Sequence, residues 1–256
     1  MSLAKSVQAL FSPALTLVLR TSLVSSAPGS AYMETSSPST RLVVSVHGPH
    51  PLPPNTPYTP TLQLNIIFSL PLSSGVHHPR NPPGPSTQTE RFLATRLEAL
   101  IAPMFLGHLF PKSGIDVNLS VLEYTGKWSL LALSTNAVST AIAEAGIDVV
   151  DLVSAASFAL TADGLMIDPI GEEERDALAG GVVGLMASLG EITDTFLSGA
   201  LKVDGDDDMD VDDGQVQFGE VIKAAVGAAA DARLVINHAL MEMVKEKGLV
   251  SKENVK

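Results

Sequence analysis

At 256 residues, with 45% hydrophobic and only 17% charged residues, the chain is long enough and apolar enough to bury a substantial core. It contains no cysteine, which excludes a disulfide framework, a thiolate nucleophile and a cysteine-type zinc site. The net charge of −12 argues against a nucleic-acid-binding surface made by this chain alone, although seven of the aspartates are concentrated in DGDDDMDVDDG, Asp204 to Gly214.

The chain begins with MSLAKSVQALFSPALTLVLR, which imitates a secretory signal because apolar residues follow Lys5. Ser12 and Pro13 interrupt the apolar region, and Arg20 lies where a cleavage region should be uncharged. An ordinary first strand is therefore predicted here. No apolar run approaches the roughly 18 residues that span a bilayer, so no membrane association is expected.

Three strands are predicted next, in ALTLVLRTSLVSS, GSAYMET and RLVVSVHGP, each closed by Gly, Pro or Ser and together forming a meander. PHPLPPNTPYTP contains too much proline for regular structure. TLQLNIIFSL alternates well enough to be a further strand, and a loop follows from Pro71 to Pro85.

The first long helix is predicted in STQTERFLATRLEAL, where Glu90 follows Thr87 at the spacing of a capping box. Its buried face should contain Phe92, Leu93, Leu97, Leu100 and Ile101. GIDVNLSVLEY, Gly114 to Tyr124, then alternates as a strand.

A second helix, rich in Ala and Ser, is predicted after GKW and ends at Gly146 in the left-handed conformation. Its small side chains allow close approach to a neighbouring element, with one face formed by Leu133, Ala137, Thr140, Ala141 and Glu144.

Four strands and a helix complete the predicted elements. VVDLVSAASFAL and GLMIDP should pair through an Asp163-Gly164 hairpin, and GGVVGLMASLGEITDTFLSGAL should form two strands that turn near Leu189-Gly190. The last helix, Phe218 to Lys247, should bury Phe218, Val221, Ile222, Ala225, Ala232, Val235, Ile236, Ala239 and Met243. This order of elements is typical of an α+β or mixed α/β fold with helices packed on sheet faces.

The sequence does not match familiar catalytic or metal-binding motifs. The Asp run lacks the sixth-position Gly and twelfth-position Glu of an EF-hand in either register, which favours a solvated insertion. His47 with His50 and the pair His77-His78 are interpreted as exposed loop residues, so no metal is expected. There is no Walker A loop, and Ser188 lacks a nucleophile elbow.

Two candidate sites remain after these exclusions. IDPIGEEERDAL, Asp168 to Leu178, could hold a divalent ion or supply a general acid, but Glu172, Glu173 and Glu174 are more typical of a solvated turn. Arg91 and Arg96 on the first long helix could hold phosphate, but they are also typical of the surface of an amphipathic helix.

Several motifs in the same order resemble the RNase PH-like subunits of the RNA exosome. GSAYMETSSPSTRLVVSVHGP is similar to that family's early hairpin, FPKSGIDVNLSVLE to its central strand, and NAVSTAIAEAGIDVVDLVSAASFAL to its A-x-A-D-A-G-I helix and following strand. Among the ring subunits, RTSLVSSAPGSAYMET with AEAGIDVVDLV is most similar to one fungal type.

The resemblance implies an RNase PH-like βαβα fold of the ribosomal protein S5 domain 2 type, with mixed and antiparallel sheets. It implies one domain over residues 1–256, with a disordered acidic insertion at about 203–214. It also implies a ring of such subunits under S1/KH-type cap subunits, with RNA passing through the assembled complex, in the nucleus and nucleolus and also in the cytoplasm.

The resemblance also provides a test of activity. Phosphorolytic members grip phosphate with a Gly-Thr-Arg at the start of the central helix, and that arginine falls on Leu131 here. Their two aspartates, six residues apart, fall on Glu174 and Gly180. We therefore expect a non-catalytic ring subunit with no catalytic residue, cofactor or metal.

Two alternatives remain open at this point. One is an active phosphate-dependent 3′-5′ exoribonuclease of the same fold, and the other is an unrelated small-molecule enzyme of α+β fold. The resemblance places Arg96 near an RNA-holding arginine of active members, so Arg91 and Arg96 are the RNA-binding candidates.

Overall fold

The computed structural model of the chain describes residues 7–12, 15–36, 39–53, 57, 59–71, 88–161, 164–169, 171–199 and 218–246. Ten strands and four α-helices lie in these residues. The strands are β1 Val7–Ser12, β2 Leu15–Thr21, β3 Gly29–Ser36, β4 Ser39–Pro51, β5 Gln63–Ser69, β6 Ser113–Glu123, β7 Val153–Thr161, β8 Gly164–Ile167, β9 Ala179–Met186 and β10 Glu191–Gly199. The helices are α1 Gln88–Ile101, α2 Lys127–Ala145, α3 Gly171–Asp176 and α4 Phe218–Glu246.

The strands form two sheets. The first has the order β1-β2-β3-β4-β6-β5 and is antiparallel except for the parallel pair β5 and β6, which α1 connects. The second has the order β10-β9-β7-β8 and is antiparallel throughout. The run β5-α1-β6-α2 is the predicted βαβα unit, and the α+β class is confirmed.

Helix α2 lies between the two sheets, because it packs on β3 and β4 of the first sheet and on β7 and β9 of the second. Residues from Ser129 to Ile142 are all buried. The predicted single face was therefore too narrow, since an Ala- and Ser-rich helix can be covered on every side. Gly146 ends α2 with φ 71°, as predicted.

Polar groups of α2 are buried without loss of hydrogen bonding. The hydroxyls of Ser134 and Thr135 donate to carbonyls one turn earlier in the helix, at 2.6 and 2.9 Å. The Asn136 amide donates to the Ala155 carbonyl and accepts from the Ala155 N–H, at 2.9 and 2.8 Å. The two Asn136 bonds join α2 to β7. Each of these buried polar groups thus has a partner within the protein, as buried polar groups require.

The last helix, α4, covers the other face of the second sheet. Val221 and Ala225 form one apolar cluster with Phe158 and Val183, and Ala229 forms another with Leu185. Val221, Ala225, Ala232, Val235, Ile236 and Ala239 are buried as predicted, whereas Ile222 and Met243 are only partly buried and Ala229 was missed. The burial of the Phe218 side chain lies outside what the structure describes and stays a prediction. Among the described helices, none is long and apolar enough to cross a membrane.

Several boundaries differ from the predictions. The strand predicted from Val149 begins at Val153, because residues 148–152 form a connection in which Asp151 accepts four hydrogen bonds. The turn at Leu189-Gly190 is confirmed, with φ 70° at Gly190. Thr87, Asp163, His77, His78 and the acidic segment lie outside the described residues, so the capping box, the Asp-Gly hairpin and the disordered insertion stay predictions.

One apolar core spans both sheets. It contains residues of β2, β3, β4 and β6 together with Val153, Ala155, Val182 and Met186 of the second sheet. Helix α2 therefore packs its apolar side chains against both sheets. Its N-terminal end, which follows β6, is where the candidate site lies.

Candidate functional site at the start of helix α2

The first turn of α2 is capped by a carboxylate from another helix. Gly126, the residue before the helix, has no side chain that could accept from the free N–H groups of the first turn. Glu174 of α3 takes this role, since its Oε1 accepts from Lys127 N at 2.7 Å and its Oε2 from Trp128 N at 3.1 Å. An internal anion therefore occupies the N-terminus of α2, where helices favour negative charge.

The close approach of Glu174 depends on the glycine before the helix. A Cβ at residue 126 would overlap Glu174 Oε2. Partial burial raises the pKa of Glu174 above its usual value, and the N–H groups of Lys127 and Trp128 oppose this shift. The interpretation of residues 172–174 as a solvated turn was wrong for Glu174, because tertiary packing brings α3 against α2.

Trp128 fills the space in front of Gly180. A Cβ at residue 180 would overlap the six-membered ring of this tryptophan. The resemblance assigns the second family aspartate to Gly180, and the Trp128 ring leaves no space for a carboxylate at that residue. A pair of carboxylates therefore does not form with Glu174.

Leu131, to which the resemblance assigns the family's phosphate-binding arginine, lies inside the core. Leu131 is 1% exposed, and its neighbours Leu130 and Ser129 are also buried. An apolar side chain that packs between the sheets offers nothing to a phosphate group. The nearby charged groups are instead Lys127, Glu174 and Arg175 at the surface of the site.

A cleft of about 470 Å³ lies beside this capped helix end. Its walls come from α1, the end of β6, the start of α2, α3 and β10, and its lining residues are Phe92, Tyr124, Thr125, Lys127, Trp128, Gly171, Glu174, Arg175, Phe196 and Ser198. We call it the aromatic cleft.

Arg96 borders the aromatic cleft through two rings. Phe92 and Phe196 meet edge to face, with ring centroids 5.6 Å apart. The Arg96 guanidinium carbon lies 4.7 Å from the Phe196 centroid and 5.7 Å from that of Phe92, within the range of cation–π attraction. Phe92 was predicted to be buried but is 40% exposed, because it faces the cleft instead of the core.

The two predicted RNA-binding arginines are not brought together. Neither arginine is a lining residue of the cleft, but Arg91 is exposed, whereas Arg96 is half-buried and stacks on Phe196, which does line it. Residues five apart on a helix differ by about 140° in direction. Arg96 is therefore the better placed of the two.

Candidate metal ligands do not converge in the part of the chain that is described, where no group of three or more His, Asp or Glu side chains could hold a metal ion. His50 lies 3.7 Å from Asp116, and Asn65 donates to Asp116 at 2.9 Å. These three side chains come from the neighbouring strands β4, β5 and β6. The interpretation of His47 and His50 as loop residues was wrong, because β4 extends to Pro51.

Sequence reasoning missed Trp128, Phe196 and the capping role of Glu174. One signal was present: GKW lacks a Ser, Thr, Asp or Asn at the helix start, which leaves the first N–H groups without a local acceptor. A distant acceptor was therefore required. Its identity depends on the fold, because Glu174 is 47 residues from Lys127.

Comparison with known proteins defines the class to which this fold and site belong. Residues 16–148 match the family model described as "RNase_PH: 3' exoribonuclease family, domain 1". The crystal structure of rice Rrp46 superposes with a TM-score of 0.68 at 16% identity, over 86% of this chain and 92% of that one, which shows the shared fold. The chain belongs to the RNase PH family.

Individual members of the family show which type of subunit this chain resembles. The exosome complex component mtr3 of Schizosaccharomyces pombe is 34% identical, over 88% of this chain and 82% of that protein. The exosome complex component MTR3 of Chaetomium thermophilum is 28% identical, over 89% of this chain and 85% of that protein. Human MTR3 is 35% identical over 47% of this chain and 44% of its own length. The fungal type indicated by the sequence motifs, the mRNA-transport-regulator-three type, is thus confirmed as the resemblance.

Proposed function

We propose that this chain is a non-catalytic, structural subunit of the RNA exosome core ring, which supports 3′-5′ RNA processing and degradation by other proteins. It would pair with other RNase PH-like ring subunits and with S1/KH-type cap subunits. RNA would reach it through the assembled complex, with at most weak contact at Arg96. Its location would be the nucleus and nucleolus, and also the cytoplasm.

One observation carries the proposal. The positions to which the resemblance assigns the phosphate grip and the carboxylate pair are occupied by the protein's own side chains, because Glu174 caps α2 and Trp128 covers Gly180. Neither the phosphate grip nor the carboxylate pair has room to form. The names of the fungal relatives, which are exosome complex components, support the ring assignment.

The described surface is also suited to protein neighbours. Eleven large apolar side chains are at least 40% exposed, among them Leu122, Leu178, Leu234 and Met241. Strands β5 and β10 are terminal in their sheets among the described strands. Apolar side chains and sheet edges of this kind are usually covered by partners in an oligomer.

The alternative function is an active phosphate-dependent 3′-5′ exoribonuclease. The test is to incubate the pure chain, and the chain assembled with its ring partners, with labelled RNA, inorganic phosphate and Mg²⁺. We expect no nucleoside diphosphates, with a phosphorolytic RNase PH enzyme as the positive control. Their release by the pure chain would favour the alternative.

Ring membership needs a separate measurement. Co-expression with RNase PH-like exosome subunits, followed by size-exclusion chromatography and native mass determination, should give a stable complex that contains this chain. A chain that stays monomeric with every such subunit would contradict the proposal. The third possibility, a small-molecule enzyme, has no support from the cavity beside Asp168, whose volume of about 30 Å³ suits little more than a water molecule.

A further inference from the structure

Strand β5 is a sheet edge that lacks the features which usually protect an edge. It is terminal in the first sheet among the described strands, and its seven residues, QLNIIFS, include no charged residue and no proline. Its pairing with β6 is regular from Gln63 to Ser69. Edges that stay free usually carry charges, proline or a bulge, because their unpaired backbone groups otherwise pair with another chain. The sequence of β5 therefore favours the addition of a further strand.

The other terminal strands of the described sheets differ from β5 in this respect. β1 has a register shift between Leu10 and Ser12, and β8 has only four residues. β10 contains Glu191 and Asp194, and its pairing shifts register before Asp194. Short, irregular or charged strands of this kind resist edge-to-edge pairing. Among the four sheet edges that the structure describes, β5 is thus the one best suited to a partner strand.

The apolar core is incompletely covered along β5. Leu64 and Ile66 pack against the core but are only partly buried. Their partners on the inner strand β6, Ile115 and Val117, are fully buried. On the opposite face of the sheet, Ile67 is 49% exposed. A strand beside β5 would therefore remove apolar surface from water on both faces of the sheet.

A groove of about 590 Å³ lies beside the first half of β5. Its walls offer apolar, amide and carboxylate groups, which come from Leu62, Leu64, Gln63, Asn65, Glu98 and Asp116. We call it the β5 groove. An extended peptide segment can pair with the backbone of an edge strand and place alternate side chains into such a groove. The mixed lining beside a free strand therefore suits an extended peptide.

The β5 groove is acidic. Glu98 is exposed on α1, and among the described residues it has neither an ion pair nor a hydrogen bond. Asp116 already has partners, because it accepts from Asn65 at 2.9 Å and lies 3.7 Å from His50. No Lys or Arg is among the described residues that line the groove. Glu98 is therefore the group that can pair with a basic side chain from outside the chain.

A second copy of this chain is a poor occupant of the groove. A copy that paired through its own β5 would bring QLNIIFS, which has no basic residue, and Glu98 would stay unpaired. It would also join two chains that each carry a net charge of −12. An extended segment of another protein, with a Lys or Arg among apolar residues, fits both the charge of the groove and the apolar margin of β5.

We propose that β5 binds an extended segment of another exosome subunit, which becomes a seventh strand of this six-stranded sheet. Apolar residues of the segment pack on Leu64 and Ile66, and a Lys or Arg pairs with Glu98. The class of the partner rests on the proposed function, since that function makes exosome subunits the neighbours of this chain. Main-chain hydrogen bonds to β5 supply affinity, and the basic residue at Glu98 supplies selectivity.

Amide hydrogen exchange tests whether the edge is free in the isolated chain and covered in the complex. Alternate residues of β5 direct their N–H groups away from β6, so about half of the β5 amides should exchange rapidly in the full isolated chain. The same amides should exchange about tenfold or more slowly in the complex obtained by co-expression with RNase PH-like and S1/KH-type exosome subunits. The amides of β6, an inner strand, should be protected in both samples and serve as the control.

Two results of the exchange experiment would overturn the proposal. Protection of all β5 amides in the isolated chain would show that the chain covers its own edge. Unchanged exchange in the complex would show that no subunit covers it. A complex that forms without protection of β5 leaves ring membership intact, whereas failure to form a complex contradicts both proposals, so the two failures are distinguishable.

Photo-crosslinking identifies the occupant. p-Benzoylphenylalanine at position 67, on the exposed face of β5, should crosslink in the complex to a segment of another subunit that contains Lys or Arg among apolar residues. The same residue at position 234, where Leu234 of α4 is 66% exposed, is the control and should not crosslink to that segment. Crosslinks from position 67 to this chain itself, to a second copy or to an acidic segment, or none at all, would overturn the proposal.

Charge reversal tests the role of Glu98. Glu98→Lys should reduce the protection of β5 in the complex about tenfold or more, because repulsion replaces an attraction at the groove. Asp231→Lys makes the same change in charge at another exposed helix residue, on α4, and should leave the protection unchanged. Thermal unfolding of the isolated variants should show that both keep the native fold. Equal protection of β5 in the two variants would contradict the pairing of a basic residue with Glu98.

Discussion

Trp128 and Gly180 are in direct contact across the start of α2, and the ring of the tryptophan leaves no room for a side chain at residue 180. The resemblance assigns a family aspartate to residue 180, and the contact shows that more than the identity of this residue prevents a carboxylate there. The space has been taken by a large side chain from a different element. Restoring the carboxylate alone should therefore not restore a site.

The Gly180→Asp variant tests this contact. We expect a loss of about 1–3 kcal/mol in the free energy of unfolding, because the new side chain must displace the Trp128 ring in a packed region. Chemical denaturation measures the loss. Gly227→Asp is the matched control, since that exposed helical glycine has open space around it. Equal stability of the two variants would contradict the packing argument.

Removal of the Glu174 carboxylate should destabilise the start of α2. We expect Glu174→Ala to cost about 1 kcal/mol, as for other lost helix caps, because the N–H groups of Lys127 and Trp128 lose their acceptor. Glu174→Gln retains one acceptor oxygen and should cost less. Glu172→Ala, at an exposed neighbour on α3, should be nearly neutral. Thermal unfolding ranks the three, and a larger loss for residue 172 than for residue 174 would count against the capping role.

A buried ion pair holds α4 to the connection before β7. Arg233 Nη2 lies 2.7 Å from Asp151 Oδ1, with side chains 11% and 6% exposed, and Arg233 also donates to the Leu152 carbonyl. We expect Arg233→Met to cost about 3–5 kcal/mol, since it leaves a buried charge without its counterion.

The exposed ion pair of Arg41 with Glu34 is the control for that prediction. Its distance is similar, 2.9 Å, but Arg41 is 46% exposed. We expect Arg41→Ala to cost less than about 1 kcal/mol, because solvent screens the interaction. Comparable losses for the two arginines in urea denaturation would show that burial does not decide the strength of the Arg233 pair.

Asp168 should make stability depend on pH. Burial raises the pKa of Asp168 above its usual value, although the Ser157 hydroxyl donates to the carboxylate at 2.9 Å. A carboxyl group whose pKa is raised by folding contributes stability that is present in acid and is lost as pH rises through its folded pKa. The Asp168→Asn variant should therefore be more stable than the native chain at pH 7.5, with the difference disappearing near pH 4.

The Asp168→Asn substitution removes the charge at residue 168 and keeps the local geometry. Asn can keep the Ser157 hydrogen bond, and it tolerates the positive φ of 52° found there. The free energy of unfolding of both chains is measured between pH 4 and pH 7.5. If the variant is less stable than the native chain, and by the same amount at every pH, the ionisation of Asp168 has no role in the stability.

Local patterns were sufficient to predict most of the elements. The alternation in GIDVNLSVLEY predicted β6, the Gly146 stop predicted the end of α2, and the spacing in the last helix predicted most of its buried face. These features depend on side-chain period and backbone conformation within a few residues. They can therefore be read before any partner element is known.

The candidate site was less predictable because its residues come from distant segments. Phe92 follows the helical spacing of the core face, yet it turns to Phe196 on β10. Glu174 is part of an acidic run typical of a solvated turn, yet it binds the first turn of α2. In both cases the contact is made with a residue that is distant in sequence, so no local pattern predicts it.

The sequence alone determined the family and the order of elements, because both depend on residue identity along the chain. The tertiary structure decided which side chains fill the space at the start of α2. Only when α3, β9 and β10 pack beside α2 do Glu174, Trp128 and Arg96 meet at one place. Contacts between distant segments depend on the packing of sheets and helices, and the sequence of a single segment does not predict that packing.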